Sequence, residues 1–188
     1  MRTRHTIAAT AATLLATLTA CSSSGKLANK PAPAATKPAP SPTPSPTEKP
    51  LTVGDTKSVK DSIGGSDFTV TVLAYTQPAK GPEAPSPELG GDVWATAEVK
   101  ICNTRGNTFA VTQFTWSLAY DDGTRVEPTG LNGGDLPKPE YPTTETPVKE
   151  GRCVRGKIPY PVQSKSRPAR IEYSPQAAEP VEWIVPAK

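Results

Sequence analysis

In this chain of 188 residues the side chains able to do chemistry are few: three cysteines at 21, 102 and 153, one histidine at 5, and scattered carboxylates and lysines. An odd cysteine in an exported chain is usually a partner waiting for a bond, so position decides the chemistry. Cys21 follows a short apolar run, whereas Cys102 and Cys153 lie far downstream. In an oxidising compartment the latter two most simply form one disulfide. His5 lies upstream of Cys21, so cleavage between them leaves a chain without histidine. Ser-His-Asp and Cys-His catalysis and the His-bearing metal sites are then excluded.

The elements around Cys21 say what its bond is. Arg2 and Arg4 precede an uncharged run from Ile7 to Leu18, the layout of a signal peptide with a basic n-region and an apolar h-region. About 12 residues are too few to span a bilayer as a helix, which takes about 20. Leu18-Thr19-Ala20-Cys21 resembles the bacterial lipobox, at which lipoprotein signal peptidase cuts and leaves an acylated cysteine. The resemblance implies that residues 1–20 are removed and that Cys21 carries a diacylglycerol. Two or more acyl chains, at about 0.8 kcal/mol per buried CH2, then hold the protein at the outer face of the cell membrane.

Residues 21–50 carry prolines at 31, 33, 38, 40, 42, 44, 46 and 50 and no hydrophobic periodicity. Such a segment is expected to be a disordered, extended linker. Its P-x-x-P matches are explained by a tether without any partner. It carries a net charge of +3, with Lys26, Lys30, Lys37 and Lys49 against Glu48. Residues 51–188, with 15 basic and 17 acidic side chains, come to −2, so the overall +3 is no argument for nucleic acid.

From residue 51 onward, alternating runs recur between turn residues, the pattern of an all-β antiparallel sandwich of seven to eight strands. S-D-F-T-V-T-V-L-A-Y turns Phe68, Val70 and Val72 inward. D-V-W-A-T-A-E-V-K-I-C-N turns Val93, Ala95, Ala97, Val99 and Ile101 inward and Trp94, Thr96, Glu98, Lys100 and Cys102 outward. Q-F-T-W-S-L-A-Y alternates Phe114, Trp116, Leu118 and Tyr120 against Thr115, Ser117 and Ala119, and Asp122-Gly123 makes a hairpin turn needing positive φ. A shorter strand is expected near Thr56 to Lys60. Cys153 shares a face with Arg155 and Lys157, opposite to Val154 and Ile158. Both cysteines thus sit on a solvent face, which predicts a bridge between neighbouring antiparallel strands of one sheet, unlike the inter-sheet bridge of antibody domains. That register sets Glu98 opposite Lys157, a favourable pair, and Lys100 opposite Arg155, an unfavourable one.

The strand F-T-V-T-V, the run V-W-A-T-A-E-V-K-I-C-N-T, the hairpin F-T-W-S-L-A-Y-D-D-G-T-R, the run G-R-C-V-R-G-K-I-P-Y and the following R-I-E-Y-S-P cover most of residues 51–175, after an opening V-G-D-T. In that order they resemble an immunoglobulin-like domain family of unknown function found in Gram-positive, especially actinobacterial, surface lipoproteins. That family is related in fold to a secreted mycobacterial immunoprotective antigen. The resemblance implies an immunoglobulin-like β-sandwich over residues 51–188 and transfers no catalytic residue.

Other candidate chemistry is thin. Gly64-Gly65-Ser66-Asp67-Phe68 lacks the last glycine of a nucleophile elbow and reads as a turn. Asp121-Asp122-Gly123 lacks the later ligands of a calcium loop. Leu136-Pro137-Lys138-Pro139-Glu140 matches a sortase signal only in its first three positions. The basic residues between Lys149 and Arg170 read either as a patch for an anionic polymer or phospholipid or as an ordinary solvated sheet face. No metal and no cofactor is expected. The expected function is a noncatalytic binding or structural lipoprotein, with the membrane as partner through its anchor, a cell-wall polymer or another surface protein as candidate ligand, and no nucleic acid. The rival readings are a hydrolase working through carboxylates or a Ser-Lys pair and an accessory subunit of a membrane complex. Counting strand directions puts the linker and the loop Gln77 to Gly91 at one end of the sandwich and the long loop Thr129 to Lys149 at the other. Loops of that length are uncommon unless functional or disordered. Leu131, Asn132, Asp135, Leu136 and Tyr141 are therefore expected to contact the ligand.

Overall fold

Strand alternation has one purpose in this domain, which is to line two sheets with the same apolar face. In the computed structural model, which describes residues 49–80, 83–175 and 179–187, the strands are β1 (Leu51–Thr52), β2 (Thr56–Asp61), β3 (Ser66–Thr76), β4 (Val93–Gly106), β5 (Phe109–Val111), β6 (Trp116–Ala119), β7 (Arg125–Val126), β8 (Thr146–Val148), β9 (Cys153–Val162), β10 (Arg170–Tyr173) and β11 (Val181–Ile184). They form a five-stranded sheet in the order β1-β11-β10-β6-β7, a four-stranded sheet in the order β2-β3-β4-β9, and the small pair β5-β8. The expectation of an all-β sandwich holds. The additional strands are two- or three-residue pieces too short to show a period, β1, β5 and β8, while β7 is the second arm of the expected Asp122-Gly123 hairpin. The signal segment, Cys21 and the linker through Glu48 lie outside the described residues.

The core follows the alternation closely. Phe68, Val70 and Val72 from β3 and Ala95, Ala97, Val99 and Ile101 from β4 meet Trp116, Leu118, Ile171 and Trp183 of the facing sheet. At about 25 cal/mol per Å² of apolar surface, burying each large side chain contributes roughly 1.5–3 kcal/mol. Trp94, Thr96 and Phe114 depart from expectation. Trp94 points away from the core yet is buried, because Ala79 and Glu83 lie over it: its indole N–H donates to the Glu83 carbonyl at 3.0 Å, and the Ala79 amide donates to the Trp94 carbonyl. Phe114 is 56% exposed, because Gln113–Thr115 forms a 3-10 turn that breaks the period of two and buries Gln113 instead.

Cys102 and Cys153 are bonded and sit directly opposite each other in adjacent strands β4 and β9, with Cα atoms 4.0 Å apart. The same register sets Glu98 opposite Lys157 and Lys100 opposite Arg155, as expected. Arg155 escapes its like-charged neighbour by reaching diagonally to Glu98, with Nε–Oε1 at 2.7 Å. Closing a loop of this length contributes up to about 4 kcal/mol on the chain-entropy model.

The placement of the loops needs correction. Tyr173 packs edge-on against Phe68, so the Val181 end of β11 lies at the same end of the sandwich as the β2–β3 turn. Strand β1 runs parallel to β11, away from that end, and β2 returns toward it. The described chain therefore begins, at Lys49 and Pro50, beside Ser62 and Ile63. The expected assignment counted one strand, β2, and missed the two-residue β1, which reverses the entry. Gln77–Gly91 consequently lies at the end opposite the entry. The segment between β7 and β8 caps neither end and reaches the entry end only at Glu145. It runs along the edge of β9, where the Tyr141 amide donates to the Lys157 carbonyl and the Lys157 amide to the Pro139 carbonyl. Gly156 permits that approach: a Cβ there would stand 2.4 Å from the Tyr141 nitrogen.

Candidate functional site

Of the residues expected to meet a ligand, Leu131, Asn132 and Asp135 are exposed, but Leu136 is buried and Tyr141 wholly so. Tyr141 packs edge-on against Trp116 with centroids 6.4 Å apart. The nomination of Leu136 and Tyr141 as ligand-facing is therefore corrected: an apolar side chain in a loop next to an uncovered sheet edge gains more by burial than by display. Ser66, weighed as a nucleophile, begins β3 and is buried. Asp122 receives the Thr124 amide and holds the hairpin turn, with Gly123 at φ 85°. No group of three or more metal-ligating residues occurs among the described residues. Three of the basic residues of 149–170 have separate partners: Arg155 pairs with Glu98 on one sheet, Arg170 with Glu182 on the other, and Arg167 lies 5.0 Å over the Tyr75 ring.

The geometry gathers instead at the end where the described chain enters. Here the two sheets part and leave a pocket of about 340 Å³ between Phe68 of β3, Phe109 of β5 and Tyr173 of β10. Phe68 is the hub, with ring centroids 5.0 Å from Phe109 and 6.3 Å from Tyr173. Trp116 backs Tyr173 at 4.8 Å. Aromatic contacts of this kind contribute about 0.5–1.5 kcal/mol beyond their burial and fix the walls.

One wall is the β2–β3 turn. Asp61 Oδ1 accepts the amides of Ile63 and Gly64 at 3.1 and 2.7 Å, and this leaves Ile63 at the rim, 84% exposed. The neighbouring turn is locked to it, since the Asn107 side chain donates to the Gly64 carbonyl and the Asn107 amide to the Gly65 carbonyl. Gly106 is required there, for it sits at φ 98° and a Cβ would meet the Gly65 oxygen at 2.3 Å. The other wall holds Ala110, Thr112, Thr115 and Glu145. The Thr115 hydroxyl donates to the Thr112 carbonyl at 3.0 Å. Burial first, and the Asp61 carboxylate second, push the Tyr173 phenol above its ordinary pKa, so it remains a neutral hydroxyl. The pocket can hold an apolar body against aromatic faces and offer carboxylates at its mouth. Sequence reading missed Phe109, which lies in a three-residue strand with no period to reveal it.

A second hollow adjoins it through Ile63: an open groove between β2 and the β11 side, lined by Lys57 and Lys60 of β2, by Lys49, and by Glu179 and Glu182.

The five-stranded and four-stranded sheets packed around one core make the domain an immunoglobulin-like β-sandwich. Among solved structures the chain is similar to the secreted protein MPT63 of Mycobacterium tuberculosis, with a TM-score of 0.57 and 15% identity over 73% of this chain and 99% of that one. It is also similar to the yjhA protein of Bacillus subtilis, with a TM-score of 0.47 and 13% identity over the same shares of the two chains. No protein-family model and no curated protein matches the chain.

Proposed function

We propose that this protein is an extracytoplasmic lipoprotein, tethered through an acylated Cys21 and a proline-rich linker to the outer face of the membrane, whose immunoglobulin-like domain binds a ligand without catalysis. The observation that carries the binding reading is the aromatic pocket at the entry end. It combines a preformed apolar volume in the usual ligand range with a few polar groups at its mouth. Its polar groups serve structure: Asp61 holds turn amides and Thr115 a carbonyl. The anchoring reading is supported by Leu18-Thr19-Ala20-Cys21, by the disulfide, which suits an oxidising compartment, and by the resemblance to actinobacterial surface lipoproteins.

Fractionation of cells making the whole chain tests the anchor. The wild type is expected in the membrane, labelled by palmitate, and Cys21→Ser is expected in the medium or as uncleaved precursor. A Cys21→Ser chain that is processed and still membrane-bound overturns the lipoprotein reading.

A further inference from the structure

We infer that the aromatic pocket selects an organic cation, an ammonium group carried on a compact apolar or aromatic body. The inference rests on reading the domain as a binding module. Three independent features of the cavity point the same way. Its lining includes the rings of Phe68, Phe109 and Tyr173, and aromatic rings attract a desolvated cation that comes within about 6 Å of a ring centroid. Its charged lining residues are Asp61 and Glu145, both acidic, and no lysine or arginine lines it among the described residues. Its size, about 340 Å³, admits a ring or a branched alkyl group together with an ammonium head.

The two carboxylates differ in duty. Asp61 Oδ1 is engaged by two turn amides, whereas Glu145 is exposed and makes no ion pair among the described residues. The adjoining groove sharpens the contrast, since lysines 49, 57 and 60 all lie on its side of Ile63. The charged groups of the aromatic pocket are thus carboxylates alone, whereas the groove beyond Ile63 mixes lysines with Glu179 and Glu182. An anionic ligand would meet only repulsion in the pocket. A neutral one would use the rings and leave both carboxylates without a role in recognition.

The test titrates the whole mature chain with three probes of nearly the same shape: benzyltrimethylammonium, its uncharged isostere neopentylbenzene, and phenylacetate. The aromatic resonances of Phe68, Phe109 and Tyr173 are followed by NMR. The cation is expected to bind at least tenfold more tightly than the neutral probe, and phenylacetate to leave the resonances unmoved. Glu145→Gln, at an exposed site, is expected to lose several-fold in cation affinity with an unchanged melting temperature. Phe109→Ala is expected to lose at least tenfold. Equal binding of the cation and its neutral isostere, or an unaltered cation affinity in Glu145→Gln, overturns the cation assignment and leaves a binding pocket of other selectivity. Silence from all three probes overturns the pocket itself as a ligand site.

Discussion

The segment Thr129–Lys149 and the turn Asp61–Ser66 differ in length and in what they do with their apolar side chains. The long segment buries Leu136, packs Tyr141 into the core and leaves Leu131 46% exposed. The short turn holds Ile63 84% exposed above the opening between Phe68, Phe109 and Tyr173. The difference arises from what each segment runs beside. The long one passes the edge of β9, whose unpaired backbone groups would otherwise need water or a foreign strand, and it pairs with them at Lys157. The short one closes a hairpin at a sandwich end, where no edge needs covering. Loop length therefore reports the edge to be sealed, and the site lies where the sheets diverge.

Substitution of the buried tyrosine is expected to show this most strongly. Tyr141→Ala removes a fully buried aromatic ring from against Trp116, and large-to-small changes of this class cost about 3–5 kcal/mol. Leu131→Ala, in the same loop but exposed, is expected to stay within about 0.5 kcal/mol of the parent. Urea denaturation of both variants decides it. Equal midpoints for the two would return the loop to the surface.

A smaller effect is expected from the partner strand. In Gly156→Ala the added methyl would stand 2.4 Å from the Tyr141 nitrogen and 2.5 Å from the Glu140 carbonyl carbon. Backbone on that side must retreat, and overpacking of this kind costs about 1–3 kcal/mol. Amide exchange should localise the loss to Pro139–Pro142 and leave the Phe68 end protected. A variant as stable as the parent would mean that the segment sits less tightly on β9 than the geometry requires.

Much of this architecture is written in the period of two. The inward faces of β3 and β4 are legible because each strand is long enough to show the alternation. The cysteine register is legible because residues on one face of adjacent antiparallel strands must meet. What escapes is set by pieces shorter than a period. Two residues of β1 reverse where the chain enters, three residues of β5 bring Phe109 to the pocket, and one 3-10 turn exchanges Phe114 for Gln113 as the buried side chain. Burial of Trp94 is illegible for another reason: the covering residues contribute main-chain groups, the Glu83 carbonyl and the Ala79 amide, which any side chains there could supply.

The mildest expected effect concerns acid, and it separates the two segments by sign and site. Glu140 has its carboxyl held below the ordinary range, first by the hydrogen bond from Lys138 and then by the Gly133 amide, which donates to Oε1 at 2.6 Å. A group whose folded pKa is depressed contributes stability above its unfolded value, near 4.3. That contribution is lost as pH falls through the lower folded value. The pocket's buried group shifts the other way: Tyr173 has a raised pKa and stays neutral throughout acid and neutral solution. Acidification from pH 6 to 3 should thus loosen the Gly133–Glu140 stretch while the Tyr173 environment keeps its protonation state. The check is amide exchange at Gly133, corrected for the intrinsic rate, in the parent and in Glu140→Gln. Protection that falls with acid in the parent and is low and flat in the variant is the expected pattern. A fall of equal size in both would assign the acid response to some other carboxylate, and constant protection in the parent would show that Glu140 does not hold the segment.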